Sequence, residues 1–165
     1  MHLSPTTLDA LRRATGGQRH PGGPQRFVRL FQPRFAELVA SGRKLQTIRP
    51  LPKRIPFPGD HLSLRTWTGL PYRSPQRVLL DTTLASIQPV RIQDDGIYKA
   101  PEPGSLLHAI GVPIIRLHGE SADRFAVADG FDHWPAMHAW FQAEHGLPFD
   151  GVLLTWEPTS LGLCE

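Results

Sequence analysis

The densest group of side chains able to do chemistry lies at Gly42-Arg43-Lys44-Leu45-Gln46-Thr47-Ile48-Arg49. Lys44, Thr47 and Arg49 place three hydrogen-bond donors close together in the chain. In a strand, Thr47 and Arg49 share one face, because side chains alternate with a period of two. A turn at 42–44 would bring the Lys44 amine toward the Thr47 hydroxyl. A lysine whose pKa is lowered by burial can serve as base for a threonine nucleophile. The plainer alternative is a helix C-terminus decorated with cations that complement its dipole.

A second group is Phe125-Ala126-Val127-Ala128-Asp129-Gly130-Phe131. Asp129 stands at the end of an expected helix, where a carboxylate faces the negative end of the dipole at a cost of about 0.3–1 kcal/mol. A cation such as Lys44 would offset that cost; otherwise Asp129 is a solvated residue in an ordinary Asp-Gly turn. A third group runs from Arg65 to Arg73 and carries Trp67 and Tyr72 between the two arginines. Aromatics flanked by arginine suit base stacking and phosphate contacts, at about 1–3 kcal/mol per stacked base. Equally, Trp67 can close the core while Tyr72 caps its rim. The eight histidines are scattered. His138 and His145 can share a helix face, but no H-E-x-x-H or similar ligand spacing exists. No metal and no other cofactor is expected.

The elements that must position these groups follow from periodicity. Phe27–Phe31 reads as a strand. Phe31, Phe35, Leu38 and Val39 then mark one helical face, with Pro33 in the first turn and Gly42 just past the end. LQTIRP is a short strand stopped by Pro50. HLSLRTW follows the Pro58-Gly59-Asp60 turn as another strand. Residues 77–92 form one long or broken strand, and 93–110 a loop. GVPIIRL is a strand. Helices are expected near 121–129 and 133–145, the second with Asp132 as N-cap and Gly146 beyond its C-terminus. DGVLLTW closes the domain. About six strands and three helices without a βαβ rhythm predict an α+β fold.

Composition bounds the rest. The chain has 165 residues, of which 40% are apolar and 20% charged, enough for one packed domain. With 15 glycines and 17 prolines, turns are many and long helices few. Residues 15–24, TGGQRHPGGP, read as a linker, so 1–26 is expected to be a flexible, basic, dispensable tail. The domain then spans 27–157, with 158–165 as a C-terminal tail. No apolar run is long enough for a membrane span. The lone Cys164 has no partner for a disulfide, and a reduced cytoplasmic location is expected. Residues 1–60 carry 11 Lys/Arg against 3 acids, and residues 61–165 carry 7 against 12. A basic half suits an anionic partner such as nucleic acid, unless it is only a solvated surface.

Taken in order, G-x-K-x-x-T-x-R at Gly42, Lys44, Thr47 and Arg49, the Pro58-Gly59-Asp60 turn, Ala128-Asp129-Gly130-Phe131 and the closing Trp156 resemble an ASCH domain. This is a branch of the PUA-like β-barrel superfamily. The Trp67–Tyr72 loop and the Trp134–Phe141 helix are similar to a subgroup common in phage and prophage neighbourhoods. The resemblance implies a closed or nearly closed, mostly antiparallel barrel with about three packed helices and a cleft between them. It implies binding of RNA, single-stranded nucleic acid or a modified nucleoside by Arg43, Arg49, Arg65, Trp67, Tyr72 and Arg73. It also implies hydrolysis of the amide of N4-acetylcytidine by Lys44, Thr47 and an acid that falls near Asp129. The family's acid is a glutamate, longer by one methylene, about 1.5 Å of reach. The alternative is a non-catalytic adaptor with a vestigial pocket.

Overall fold

The structure, a computed structural model, describes residues 20–101 and 105–158. Within them the elements run β1 (Arg26–Phe31), α1 (Pro33–Ala40), β2 (Gln46–Arg49), β3 (His61–Trp67), β4 (Gln76–Gln93), β5 (Gly96–Lys99), α2 (Leu106–Ala109), β6 (Ile115–Leu117), α3 (Gly119–Ala128), α4 (Trp134–Glu144) and β7 (Phe149–Trp156). The fold is mixed α+β, as expected.

β4 organises the sheet. Its 18 residues are long enough for two sets of partners. The first half pairs antiparallel with β3, and the second half pairs antiparallel with β7 on one side and β5 on the other. β1 joins β3 in parallel, β2 joins β7, and β6 joins β5. The seven strands are thus mostly antiparallel, but β1 and β2 do not pair and the sheet stays open. The closed or nearly closed barrel implied by the PUA-like resemblance is not formed. The reason is local. β2 is four residues long and ends at Pro50, which has no backbone N–H to extend a ladder. Across the gap a side chain replaces the ladder: Arg49 Nη2 donates to the Leu30 carbonyl at 2.6 Å.

Several boundaries follow the sequence. α1 begins at Pro33, buries Phe35, Ala36 and Val39, and ends where Gly42 takes φ +76°. α4 ends before Gly146, also at positive φ. Two features differ from expectation. His133, not Asp132, caps α4: its Nδ1 accepts from Ala136 N at 3.1 Å, while Trp134 N donates to Asp123 across the α3–α4 corner. The stretch 93–110 is not a loop throughout. Gln93 and Gly96 pair across a two-residue Asp94-Asp95 turn, which starts β5, and Ser105 caps the single turn of α2. An Asp-Gly step next to apolar residues is a hairpin signal.

Asp60, of the Pro58-Gly59-Asp60 turn, stitches the start of β3 to the chain before it. Its carboxylate accepts from Gln25 N at 2.9 Å and Phe57 N at 2.7 Å, and lies 2.8 Å from His20 Nε2. Burial pushes its pKa up, but these donors outweigh burial and hold it below the usual value. The chain is therefore joined to the body from His20, ahead of the expected start at Phe27. The remainder of the expected N-terminal tail, residues 1–19, lies outside the described residues, as do Cys164 and residues 159–165.

α1 packs across β3 and β4, and α3 and α4 pack on one another. The core between helices and sheet is built from Val39, Leu64, Ile92, Met137, Val152 and Trp156 among others. Gly151 marks a close approach within it: a Cβ there would overlap the Arg49 carbonyl oxygen on β2. Gly151→Ala is expected to destabilise the fold by about 1–3 kcal/mol, the usual effect of overpacking. Urea denaturation measures it; an unchanged midpoint would mean that β2 yields freely.

Candidate functional site

The turn after α1 is held between two helix ends. Lys44 N donates to Leu38 O at 2.9 Å, and Leu45 N donates to Ala128 O, the last residue of α3, at 3.2 Å. These two bonds aim the Lys44 side chain inward. It is 2% exposed and runs past Phe35, whose ring centroid lies 4.8 Å from Nζ. Nζ donates to the backbone carbonyl of Asp129 and lies 3.4 Å from the carboxylate oxygen Oδ1. The cation thus sits at the C-terminus of α3, where the helix dipole favours it.

Asp129 reaches the same point from the other side. It is the C-cap of α3, and Gly130 at φ +94° turns the chain so that Phe131 N can donate to Ala126 O at 2.9 Å. A Cβ at 130 would lie 3.1 Å from Lys44 Cδ, so glycine also makes room for the lysine stem. The Asp129 carboxyl is 3% exposed, and its Oδ1 accepts no hydrogen bond. At 3.4 Å the lysine is near enough to pair electrostatically but outside good hydrogen-bond geometry. Burial raises the Asp129 pKa to about 6, against the pull of Lys44 and Arg49. Burial likewise lowers the Lys44 pKa; Asp129 opposes that shift, and Arg49 and Arg34 add to it.

Thr47 and Arg49, which the alternation of β2 predicts on one face, both line the cavity that Lys44 and Asp129 enter, and so does Ile48 between them. Thr47 is buried opposite Leu154, with no hydrogen bond to Lys44. Arg49 lies 4.8 Å from the Phe31 ring centroid, and its Nε is buried without a partner. Burial and the nearby Arg29 lower its pKa to about 10, with Asp129 opposing. The cavity has a volume of about 190 Å³. Its remaining wall is largely aromatic: Phe31, Phe35, Phe131, Trp140 and Phe141, with Glu144 and His145 at the exposed end of α4. The sequence reading did not assign this wall to the site. Its signal was Glu144, an acid in line with Met137 and Phe141 on the buried stripe of α4.

Trp67 and Tyr72 pack against one another beside this cavity, not in it, with their rings tilted by 50°. Their ring centroids are 5.2 Å apart, and Tyr72 is 89% exposed. Trp67 lines a neighbouring groove of about 260 Å³ with Pro71, and that groove shares Leu30, Phe31 and Gln32 with the first cavity. The other arginines of the sequence reading line neither recess. Arg65 lies along β3, donating to Ser63 Oγ at 2.9 Å and to Gln76. Arg43 is exposed and folds back to Ser41. Arg73 is exposed in the 70–73 turn. Among the described residues there is no group of three or more His, Cys, Asp or Glu able to hold a metal ion, and no helix long and apolar enough to cross a membrane. No family model, no curated protein and no solved structure matches this chain.

The buried pair sets a pH dependence. The Asp129 pKa is about 6 in the folded protein and near 3.8 unfolded, so the folded state holds the proton more tightly between those values. That contribution to stability is present below about pH 4 and is lost as pH rises to about 6. Compared with Asp129→Asn, the wild-type denaturation midpoint should therefore fall across this interval. A difference that stays flat from pH 4 to 6 would mean that Asp129 ionises as an ordinary aspartate.

Proposed function

We propose that the cavity receives a nucleobase, carried by RNA, by a single strand or by a modified nucleoside, and hydrolyses the amide of N4-acylated cytidine. The observation that carries this reading is Asp129, a buried carboxylate in the wall of an aromatic-lined cavity, whose Oδ1 has no hydrogen bond. A buried acceptor left unpaired is costly. The exocyclic N–H of an acylated cytosine would satisfy it, while Phe35, Phe131 or Trp140 offers the base a π-face. The resemblance of Gly42, Lys44, Thr47 and Arg49 to the ASCH box supports the same substrate class.

In this reading Thr47 Oγ attacks the acyl carbonyl and Lys44 Nζ, in its neutral form, takes the hydroxyl proton. The lowered lysine pKa supports that role. A backbone N–H of the 42–47 turn is the donor offered to the developing oxyanion. Collapse of the tetrahedral intermediate breaks the C–N bond, and Lys44 returns the proton to the departing N4 amine. Water, deprotonated by the same lysine, then releases the acyl group from Thr47. Asp129 holds Lys44 in place. One observation favours binding without turnover: the lysine amine is engaged by the Asp129 carbonyl and not by Thr47.

Incubation with N4-acetylcytidine, followed by chromatography, should release cytidine. Lys44→Ala should lower the rate by about 10²–10⁴-fold, the usual contribution of a general base. No cytidine at high protein concentration, with the nucleoside still bound, would leave the non-catalytic reading. For a strand, Trp67→Ala should weaken oligonucleotide binding by about 1–3 kcal/mol if the ring stacks on a neighbouring base. Unchanged affinity in a filter-binding titration would remove Trp67 from the interface.

A further inference from the structure

The open seam between β1 and β2 is lined by three arginines that, among the described residues, form no ion pair with a carboxylate. Arg29 lies on β1, Arg49 on β2, and Arg54 in the proline-rich connection that follows. The guanidinium carbons of Arg29 and Arg54 lie 5.5 and 4.3 Å from the centroid of one ring, Phe27. Arg49 sits over Phe31, on the same strand, and reaches Leu30 O, next to Arg29. All the acceptors they meet are neutral: Arg29 donates to Val28 O, Arg49 to Leu30 O, and Arg54 to Gln25 Oε1. Two nitrogens, Arg29 Nη2 and Arg49 Nε, are buried with no acceptor. Among the described residues, no carboxylate forms an ion pair with any of the three. Burial and the like charge of Arg54 lower the Arg29 pKa, as burial and Arg29 do for Arg49.

Clustered guanidiniums repel one another, and unsatisfied buried donors add to the cost. Other arginines of this chain are matched: Arg91 forms two 2.7 Å bonds to the Asp150 carboxylate. Among the described residues the seam lacks what Arg91 has, a bonded anion; Asp129 acts on Arg49 only through space. Arg49 belongs to both the seam and the cavity wall, so an anion held at the seam can be part of the molecule in the cavity.

We propose that Arg29, Arg49 and Arg54 form a phosphate site, which takes the phosphate attached to the nucleoside bound in the cavity. The proposal rests on the nucleobase reading above and narrows it to nucleotides, free or within a strand. A phosphate monoester carries close to two negative charges and three acceptor oxygens, and the planar guanidinium fork matches it. A single carboxylate would leave most of the cluster's charge unmatched.

The test uses the full chain, with tryptophan fluorescence as the readout because Trp140 lines the cavity. Cytidine, cytidine 5′-monophosphate and a short cytidine oligonucleotide are titrated separately. Thermal melts compare inorganic phosphate with chloride at equal ionic strength. The monophosphate should bind about 10–100-fold more tightly than cytidine, the effect of one or two charge-assisted hydrogen bonds. That ratio should shrink in Arg54→Gln, a change at an exposed position, and in Arg29→Lys, which keeps charge but loses the fork. Phosphate should raise the wild-type melting temperature more than chloride does, and less in either variant. Without phosphate, Arg54→Gln should melt no lower than wild type, because a like charge has been removed; a merely structural arginine would lower it. An oligonucleotide that outbinds cytidine while the monophosphate does not would assign the site to a phosphodiester and still support it. Equal affinity for all three ligands, with no phosphate-specific melting shift, overturns the proposal. A phosphate shift that depends on Arg29 and Arg54, with no binding of cytidine or its nucleotide in the cavity, would instead overturn the nucleobase reading and leave the phosphate site standing.

Discussion

Lys44 and Asp129 meet out of water at the C-terminus of α3, and three separate parts of the chain are arranged around that meeting. Breaking a buried pair by removing one partner costs about 3–5 kcal/mol, because the other charge is left uncompensated. The protein therefore has to supply locally what water supplies elsewhere. The Asp129 carbonyl and the end of the α3 dipole receive the ammonium, and the Phe35 ring faces it. The turn at 42–45 is pinned to both α1 and α3 so that the lysine stem has one path inward. Gly130 gives the stem room and lets the chain leave the helix. What the arrangement does not supply is a hydrogen bond to Asp129 Oδ1. The pair is matched in charge but incomplete in bonding, and it lies in the wall of a cavity.

The open sheet gives that cavity its second edge. β4 is shared by two groups of strands, one holding β3 and β1, the other β7 and β2. Their free edges come together where Arg49 spans to Leu30. A closed ladder would have placed backbone amides there, each paired with its neighbour. Instead the gap holds guanidinium groups with unused donors. The cavity and the groove beside Trp67 both run along Leu30, Phe31 and Gln32, the junction of β1 with α1. One short segment thus borders the buried pair, the arginine seam and the exposed aromatic pair. That contiguity is what a ligand with a base, a phosphate and a neighbouring residue would need.

Local features were legible in the sequence because local physics produces them. Pro33 and Gly42 bound α1 through a fixed φ and a positive φ. The two-residue period put Thr47 and Arg49 on one face. The placement of Asp129 against a helix dipole called for a cation, and Lys44 meets it. The Asp94-Asp95-Gly96 turn is local too, but the prolines and glycine at 101–104 just beyond it make the sequence look like one longer loop. His133 displaced Asp132 as the cap of α4 because the α3–α4 corner uses Asp123 for the first free amide of that helix.

The sequence by itself determined the α+β class, most element boundaries and the residue types at the buried pair. The tertiary structure alone decided that the barrel stays open, that α4 supplies part of the cavity wall, and that Arg29, Arg49 and Arg54 gather with no acid bonded to them among the described residues. The physical reason is separation along the chain. Lys44 and Asp129 are 85 positions apart, and only the packing of α3 against the 42–45 turn brings them together. An apolar stripe has the same period whether it faces a core or a cavity, so Trp140 and Phe141 do not themselves say which they line, and Glu144 on that stripe is the local sign. An arginine's sequence position likewise says nothing of its partners, and a missing partner exists only once the chain is folded.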